Sequence, residues 1–404
     1  MDQKNLIVLR SQFRRRLFLA CCIFVLGIGQ VPPVFATVFG FAQVQAKARK
    51  LLGLPYHNKP FPVPGLLRKL TPSQYAMIQD VDPLWHQEHL LFDAQFYLPG
   101  SYFKRPVLIH SVVNGQVQPI PFSPRRFTFG DLRIGDKLPS NMGYAGFRLL
   151  YPLNTPPHRN EFISFLGASY FRAVGTGQIY GTSARGLGID TALPSGEIFP
   201  YFREFWLVKP HHGSRKMVVY ALLDSKVATG AYCFTIHPGK AVTVGVKAVI
   251  YMRKPVQKLE IAPLTSMFWH GRGRGVRAGD WHPAQHDSSD LVMANGNGEW
   301  VTRPLNDPLY TQITSYGMNQ PQGFGLIQQD RHFSSYEGLQ TKYQLRPSVW
   351  VSFIGKWGKG HIQLVELPTN NRDLDNIDAF WIPEHQPAPG VAYHFNYRLR
   401  FFLD

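Results

Sequence analysis

The sequence predicts a mainly β protein built as a sandwich, because its apolar residues recur with period two in short runs bounded by Gly, Pro or Asn. Two further observations agree. Gly and Pro number 36 and 32 in 404 residues, which suits a chain that turns between many strands. No long helical pattern alternates with the short runs, and that argues against a parallel α/β sheet. Apolar residues make up 44% and aromatics 14%, enough for a large core. The length fits one large β domain or two average ones.

Residues 1–36 read as a signal peptide. A basic region ending at Arg16 precedes an apolar run over 17–28, and Val34-Phe35-Ala36 offers small or aliphatic residues at the positions a signal peptidase reads. The run is too short to span a bilayer, which takes about 20 apolar residues, so no stable membrane insertion is expected. Arg15-Arg16-Leu17-Phe18-Leu19 resembles a twin-arginine motif; ordinary secretion and a lipoprotein cysteine at Cys21 are the rival readings. Each reading exports the chain to the periplasm.

Phe41, Val44, Ala48 and Leu51 then recur at helical spacing, with Lys47, Arg49 and Lys50 opposite, which predicts one amphipathic helix. Pro55, Pro60, Pro62 and Pro64 mark a linker, and Thr71-Pro72 is a helix start with Thr as N-cap. These features define a helical and linker segment over 37–91 that leads into a sandwich over 92–404. The clearest strand places Val242, Val244, Val246, Ala248, Ile250 and Met252 on one face, against Thr243 and Lys247 on the other. Similar runs lie at 107–113, 218–223, 349–353 and 361–367.

The formal charge is +17, of which the leader contributes +4. A basic chain favours anionic partners such as nucleic acid, phospholipid or a charged glycan, and export sets nucleic acid aside. Cys21 and Cys22 fall in the leader, so Cys233 is alone in the mature chain and forms no intramolecular disulfide. Several motifs reduce to simpler readings. The run from Gly271 to Gly275 is a short loop rather than an RNA-binding tract. Gly175 and Gly177 mark a turn, not a dinucleotide fingerprint. Residues 181–186 lack the spacing of a nucleophile elbow. His282 and His286 have metal-ligand spacing only on a helix, which Pro283 opposes. No metal or cofactor is required.

Polar clusters beside aromatics carry more information: 286–290 (HDSSD), Gly298-Glu299-Trp300, Asp330-Arg331 and 373–376 (DLDN). Aromatic faces stack on apolar sugar surfaces while carboxylates and amides take the hydroxyls. Glycoside hydrolysis needs two carboxylates across the bond, one protonated and one ionised. Trp85, Trp206, Trp300, Trp350, Trp357 and Trp381 are the aromatic candidates for a sugar-lined groove; core packing is the competing role for each.

Longer segments resemble a known family. They are 165–173 (FLGASYFRA), 183–190 (SARGLGID), 220–225 (YALLDS), 262–268 (APLTSMF), His286-Asp287-Ser288, 298–305 (GEWVTRPL), 323–326 (GFGL), Arg346-Pro347-Ser348, 357–360 (WGKG) and 374–377 (LDNI). In order, they resemble the periplasmic glucan biosynthesis G/D family over nearly the whole mature chain. The resemblance implies a role in osmoregulated periplasmic glucans, β-1,2-linked glucose polymers made with an inner-membrane glucosyltransferase. It implies a galactose-mutarotase-like β-sandwich followed by an immunoglobulin-like domain, which would be missing from a chain stopping at Asp404. Asp93-Ala94-Gln95-Phe96 and the leader lean to the D branch, whose members resemble inverting endo-β-1,2-glucanases. By that likeness Asp375 is the general acid, Asp287 the second acid and Tyr343 a substrate-binding residue; Arg346, Glu299, Trp300 and Trp357 are further candidate glucan contacts. The bland roles are a turn aspartate for Asp375 and a loop cap for Asp287. Ser352-Phe353 and Ser289 depart from the family pattern. Two functions stay open: a glucanase, or a non-catalytic module that guides glucan from the synthase.

Overall fold

Two large twisted sheets bury their apolar faces against each other, and period-two patterning is the reason. In a computed structural model, residues 38–57, 63–271 and 281–403 are described. The leader, Pro60, Pro62 and the tract from Arg272 to Gly275 lie outside the described residues. Among the described residues one sheet has ten strands and the other eleven. The first runs Asp93–Tyr97, Gly146–Tyr151, Asn160–Leu166, Tyr170–Ala173, Ser183–Arg185, Leu259–Ser266, Ile377–Pro383, Lys359–Glu366, Gln312–Asn319, with Leu187–Ile189 also pairing Leu259–Ser266. The second runs Trp300–Pro304, Asp290–Ala294, Gly323–Ile327, Ser348–Ile354, Ala392–Phe402, Val242–Met252, Ala228–His237, Met217–Asp224, Tyr201–Val208, Leu108–Val113, Gln116–Pro119. Pairing is antiparallel except between Tyr201–Val208 and Leu108–Val113.

Phe147, Phe165, Phe171, Phe202, Phe205 and Phe234 interlock between the sheets with ring centroids 5.0–5.7 Å apart. Burying each such ring contributes about 1.5–3 kcal/mol before ordering costs. Trp381 is fully buried in the same core and Trp85 nearly so, so both pack rather than line a groove.

The helix Phe41–Leu52 forms as its spacing predicts and lies on the outer face of the eleven-stranded sheet. Its Val44 and Ala48 cover Val112, Trp206, Leu222, Ala231, Val249 and Tyr251. Trp206 is therefore a buried platform for the helix, not a groove residue. This cover also explains why the strand Val242–Met252 buries Val249 and Tyr251 on the face where its first half shows Thr243 and Lys247. Arg253 Nη2 donates to Leu51 O at 2.7 Å, satisfying a carbonyl at the helix end. Thr71 caps the helix Pro72–Ala76 through a reciprocal pair, Gln74 N–H to Thr71 Oγ1 and Thr71 N–H to Gln74 Oε1. Val63, Leu67, Leu70 and Trp85 join the main core.

Candidate functional site

The outer face of the ten-stranded sheet is polar across most of its width. Paired residues on neighbouring strands point to the same side, so the register defines a continuous strip. Gln95, Arg148, Ser164 and Arg172 are successive cross-strand partners, and Ser183, Thr265 and Asp378 continue the row. Their chain neighbours Phe147, Phe165, Phe171, Ala184, Leu264 and Ala379 point into the core. Arg148 bonds Gln95 Oε1 at 2.8 Å and Glu161 Oε2 at 3.0 Å; Tyr97 and Tyr180 hydroxyls donate to Glu161 Oε1. An open depression beside Arg172 is lined by Tyr102, Phe103, Ser164, Tyr170 and Ser183.

A β-bulge in the strand Leu259–Ser266 sets which residues join this strip. Ile261 and Leu264 both face the core although three residues apart, because the register shifts between them. Ala262 absorbs the shift in a left-handed conformation, φ 51°, at a cost of roughly 1–2 kcal/mol for a residue with a Cβ. Glu260 before the bulge and Thr265 after it therefore both face outward.

The end of that strand anchors both predicted acids. Asn376 N–H donates to Ser266 O at 3.1 Å, and Asp287 N–H donates to Met267 O at 2.8 Å. Asn376 also grips the next residue, its Oδ1 accepting from Phe268 N–H at 2.8 Å and its Nδ2 donating to Phe268 O at 3.0 Å. The hydroxyls of Ser266 and Ser288 are 2.5 Å apart, with Thr182 donating to Ser266. Segments 88 residues apart in sequence are thus fixed on adjacent peptides, and their carboxyls fall within electrostatic reach of each other.

Their environments differ. Solvent reaches Asp375, yet the surrounding protein and the like charges of Asp287 and Asp378 push its carboxyl up to about 7, with Arg172 and Arg346 opposing. Asp287 is buried and ion-paired with Arg346 Nη1. Burial leaves its carboxyl raised, with the guanidinium only partly opposing. Among the described residues the Asp287 side chain pairs with Arg346 and not with its own loop. Arg346 also stacks on the Tyr343 ring, 4.3 Å from its centroid, and Tyr343 is buried beside Tyr336. Gly181 makes room for this: a Cβ there would sit 2.9 Å from Arg346 Cβ.

A second ring of charge supports the first. Thr265 Oγ1 donates to Asp378 Oδ1 at 3.0 Å, and Arg185 Nη1 lies 3.9 Å from the same oxygen while pairing with Glu197. The buried Arg185 lies between the rings of Tyr170 and Phe199, 5.1 Å from each. Glu260 is fully buried, accepts Thr191 N–H at 2.7 Å and its hydroxyl at 2.6 Å, and is pushed up to about 7 by burial.

The fold brings Asp287, Asp375, Tyr343 and Arg346 together and leaves three predicted contacts elsewhere. Asp290 pairs with Pro304 and Ala294 with Trp300, so Glu299 and Trp300 are at the far end of that hairpin from Asp287. Trp357 follows the strand Ser348–Ile354, whose other end adjoins Arg346. It stacks on Phe353 at 4.0 Å and packs edgewise on Trp381. The eight-residue strand Lys359–Glu366 separates the Trp357 end from the Asp375 end, about 23 Å at ordinary strand rise. His286 stacks on Phe268 at 5.2 Å and its Nδ1 is 2.8 Å from Gln328 Oε1, so it serves packing. Tyr170, Arg172, Arg185 and Asp378 were not singled out as site residues. The signal of Tyr170, Arg172 and Arg185 was available in Tyr170-x-Arg172 and Ser183-x-Arg185, polar residues alternating with apolar ones, whereas Asp378 lies in a strand buried throughout.

Residues 39–404 match a family model described as "Periplasmic glucan biosynthesis protein, MdoG". The chain is 46% identical over 366 residues to the glucans biosynthesis protein G of Ralstonia nicotianae, covering 90% of this chain and 73% of that protein. Among solved structures it has a likeness to an alpha-galactosidase of Geobacillus stearothermophilus at 11% identity and TM-score 0.29, covering 54% of this chain and 29% of the other. A second likeness, to the Slr1438 protein from Synechocystis, has 10% identity and TM-score 0.18 over 78% and 94% of the two chains.

Proposed function

The chain belongs to the MdoG family of periplasmic glucan biosynthesis proteins, and on that premise we propose that it hydrolyses a β-1,2-linked glucan within the chain, with inversion. The reading is carried by one observation: two aspartates on adjacent anchors, one pushed up to about 7 and the other facing an arginine. Burial raises both carboxyls, and the ion pair with Arg346 favours the ionised form at Asp287, which lets the pair divide into the acid and the base the reaction requires.

Asp375 donates its proton to the leaving glycosidic oxygen. A carboxyl near 7 keeps that proton at neutral pH while remaining acidic enough to release it. Asp287, with Arg346 favouring its ionised form, takes a proton from the attacking water, directly or through an intervening hydroxyl. Tyr343 and Arg346 position the sugar, and the strip from Gln95 to Asp378 receives the chain on either side through hydroxyl-bonding side chains. Export through the leader and work beside the inner-membrane synthase belong to the same reading. The D-branch assignment rests on the leader and on Asp93–Phe96; the curated relative bears the name of a G protein, and the chemistry above does not depend on the branch.

Purified protein is incubated with linear β-1,2-glucan and new reducing ends are measured, beside Asp375→Asn. Turnover by the parent and its loss in the variant support the reading; equal rates in both remove Asp375 from the chemistry. The non-catalytic alternative is favoured by the basic balance of the chain. Calorimetry showing tight glucan binding without turnover decides for it.

A further inference from the structure

Trp300 and Trp350 form a stacked pair on the outer face of the eleven-stranded sheet, with Trp300 at the far end of its hairpin from Asp287. Core-facing residues of these strands are Leu291, Met293, Phe324, Leu326, Val349, Val351, Leu399 and Phe401. Alternation then places Trp300, Trp350, Arg398 and Arg400 outward. The indoles are 5.4 Å apart and 23° from parallel, and Trp300 is 61% exposed.

Glycine and alanine make the pair lie flat. Trp300 is the partner of Ala294, Ala294 of Gly323, and Gly325 of Trp350. A Cβ on Gly323 would meet Trp350 Cζ2 at 3.0 Å and one on Gly325 would meet its Cε3 at 2.8 Å. The Gly-Phe-Gly alternation therefore puts Phe324 in the core and leaves a floor on which an indole can recline. On the far side Arg400 is the cross-strand partner of Trp350 and Arg398 that of Ser352; both arginines are exposed.

We propose that the Trp300–Trp350 platform, flanked by Arg398 and Arg400, is a second carbohydrate-binding surface that takes the apolar face of a β-linked glucan, separate from the aspartate site. Pyranose rings present C–H faces that suit flat indoles and hydroxyl edges that suit guanidinium donors. The rim of Thr302, Ser352 and two arginines is polar, which fits a sugar chain better than the broad apolar patch of a protein interface. Because the platform lies at the far end of its hairpin from Asp287, it holds a polymer independently of cleavage. This inference rests on the reading that the chain handles glucan.

The test uses Asp375→Asn as a common background so that ligand is not consumed, with a short linear β-1,2-linked glucooligosaccharide titrated by calorimetry. Two sites are expected, falling to one with Trp300→Ala and, independently, with Arg400→Ala. In gels containing polymeric β-1,2-glucan the same variants should lose about tenfold in apparent affinity, the size of a 1.4 kcal/mol contact. A single site indifferent to both substitutions but lost with Arg172→Ala overturns the platform and leaves the aspartate site standing. No binding by the parent overturns both. A change of oligomeric state in light scattering, with glucan binding unaltered, makes the pair a protein contact and also overturns the proposal.

Discussion

Asn376 treats Phe268 as a strand partner, its side-chain amide accepting from and donating to the same residue's backbone at 2.8 and 3.0 Å. This clamp is what holds the neighbouring Asp375 against the strand that also anchors Asp287. Asn376→Ala leaves a buried N–H and carbonyls without that partner. Denaturant unfolding should show a loss of roughly 2–4 kcal/mol. Asn376→Asp can accept but not donate, and should recover only part of it.

Arg346→Met is expected to strand a buried carboxylate at Asp287, at a cost of about 3 kcal/mol. Without the guanidinium the folded-state carboxyl moves further up. Its penalty therefore grows as pH rises and fades as pH falls. Unfolding at pH 5 and pH 8 should show the larger deficit at pH 8, and adding Asp287→Asn should restore much of it.

Gly181→Ala should act through Arg346, since the new methyl would lie 2.9 Å from its Cβ. Overpacking of this kind costs about 1–3 kcal/mol. Hydrolysis of β-1,2-glucan should fall with stability, because the arginine that faces Asp287 must move. Unchanged stability and turnover would show that the backbone yields there instead.

If Asp375 supplies the proton, kcat/KM should decline above a pH near its value of about 7. Asp378→Asn removes one of the like charges that push this carboxyl up. The declining limb of the pH–rate profile should then move to lower pH. A limb that stays in place separates Asp378 from the acid.

Glu260→Gln addresses stability alone. Burial raises the Glu260 carboxyl from 4.5 to about 7. Its folded form is favoured below the unfolded value and loses that advantage as pH climbs through 7, by roughly 3 kcal/mol in all. Unfolding free energies measured from pH 4 to 8 should fall less steeply for the glutamine variant.

Several elements were legible in the residues themselves. The helix Phe41–Leu52 shows its apolar stripe, Thr71 and Gln74 form the capping box, and Val242–Met252 shows its alternating core face. These are local, since period and cap chemistry act over a few residues. The tryptophans were not legible in this way. Trp206 and Trp381 are buried, Trp300 lies flat on an outer face and Trp357 packs at a strand end. Indole carries the same apolar payload in each setting, and only the neighbours decide its use.

From its residues alone this chain settled a β-rich architecture, while its resemblance to a known family pointed to Asp287, Asp375, Tyr343 and Arg346. The tertiary structure decided that these four meet, that Arg172, Arg185 and Asp378 surround them, and that Glu299, Trp300 and Trp357 do not. The reason is physical: strand periodicity is written along the chain, whereas sheet register, the bulge at Ala262 and the field at a carboxyl arise from residues far apart in sequence.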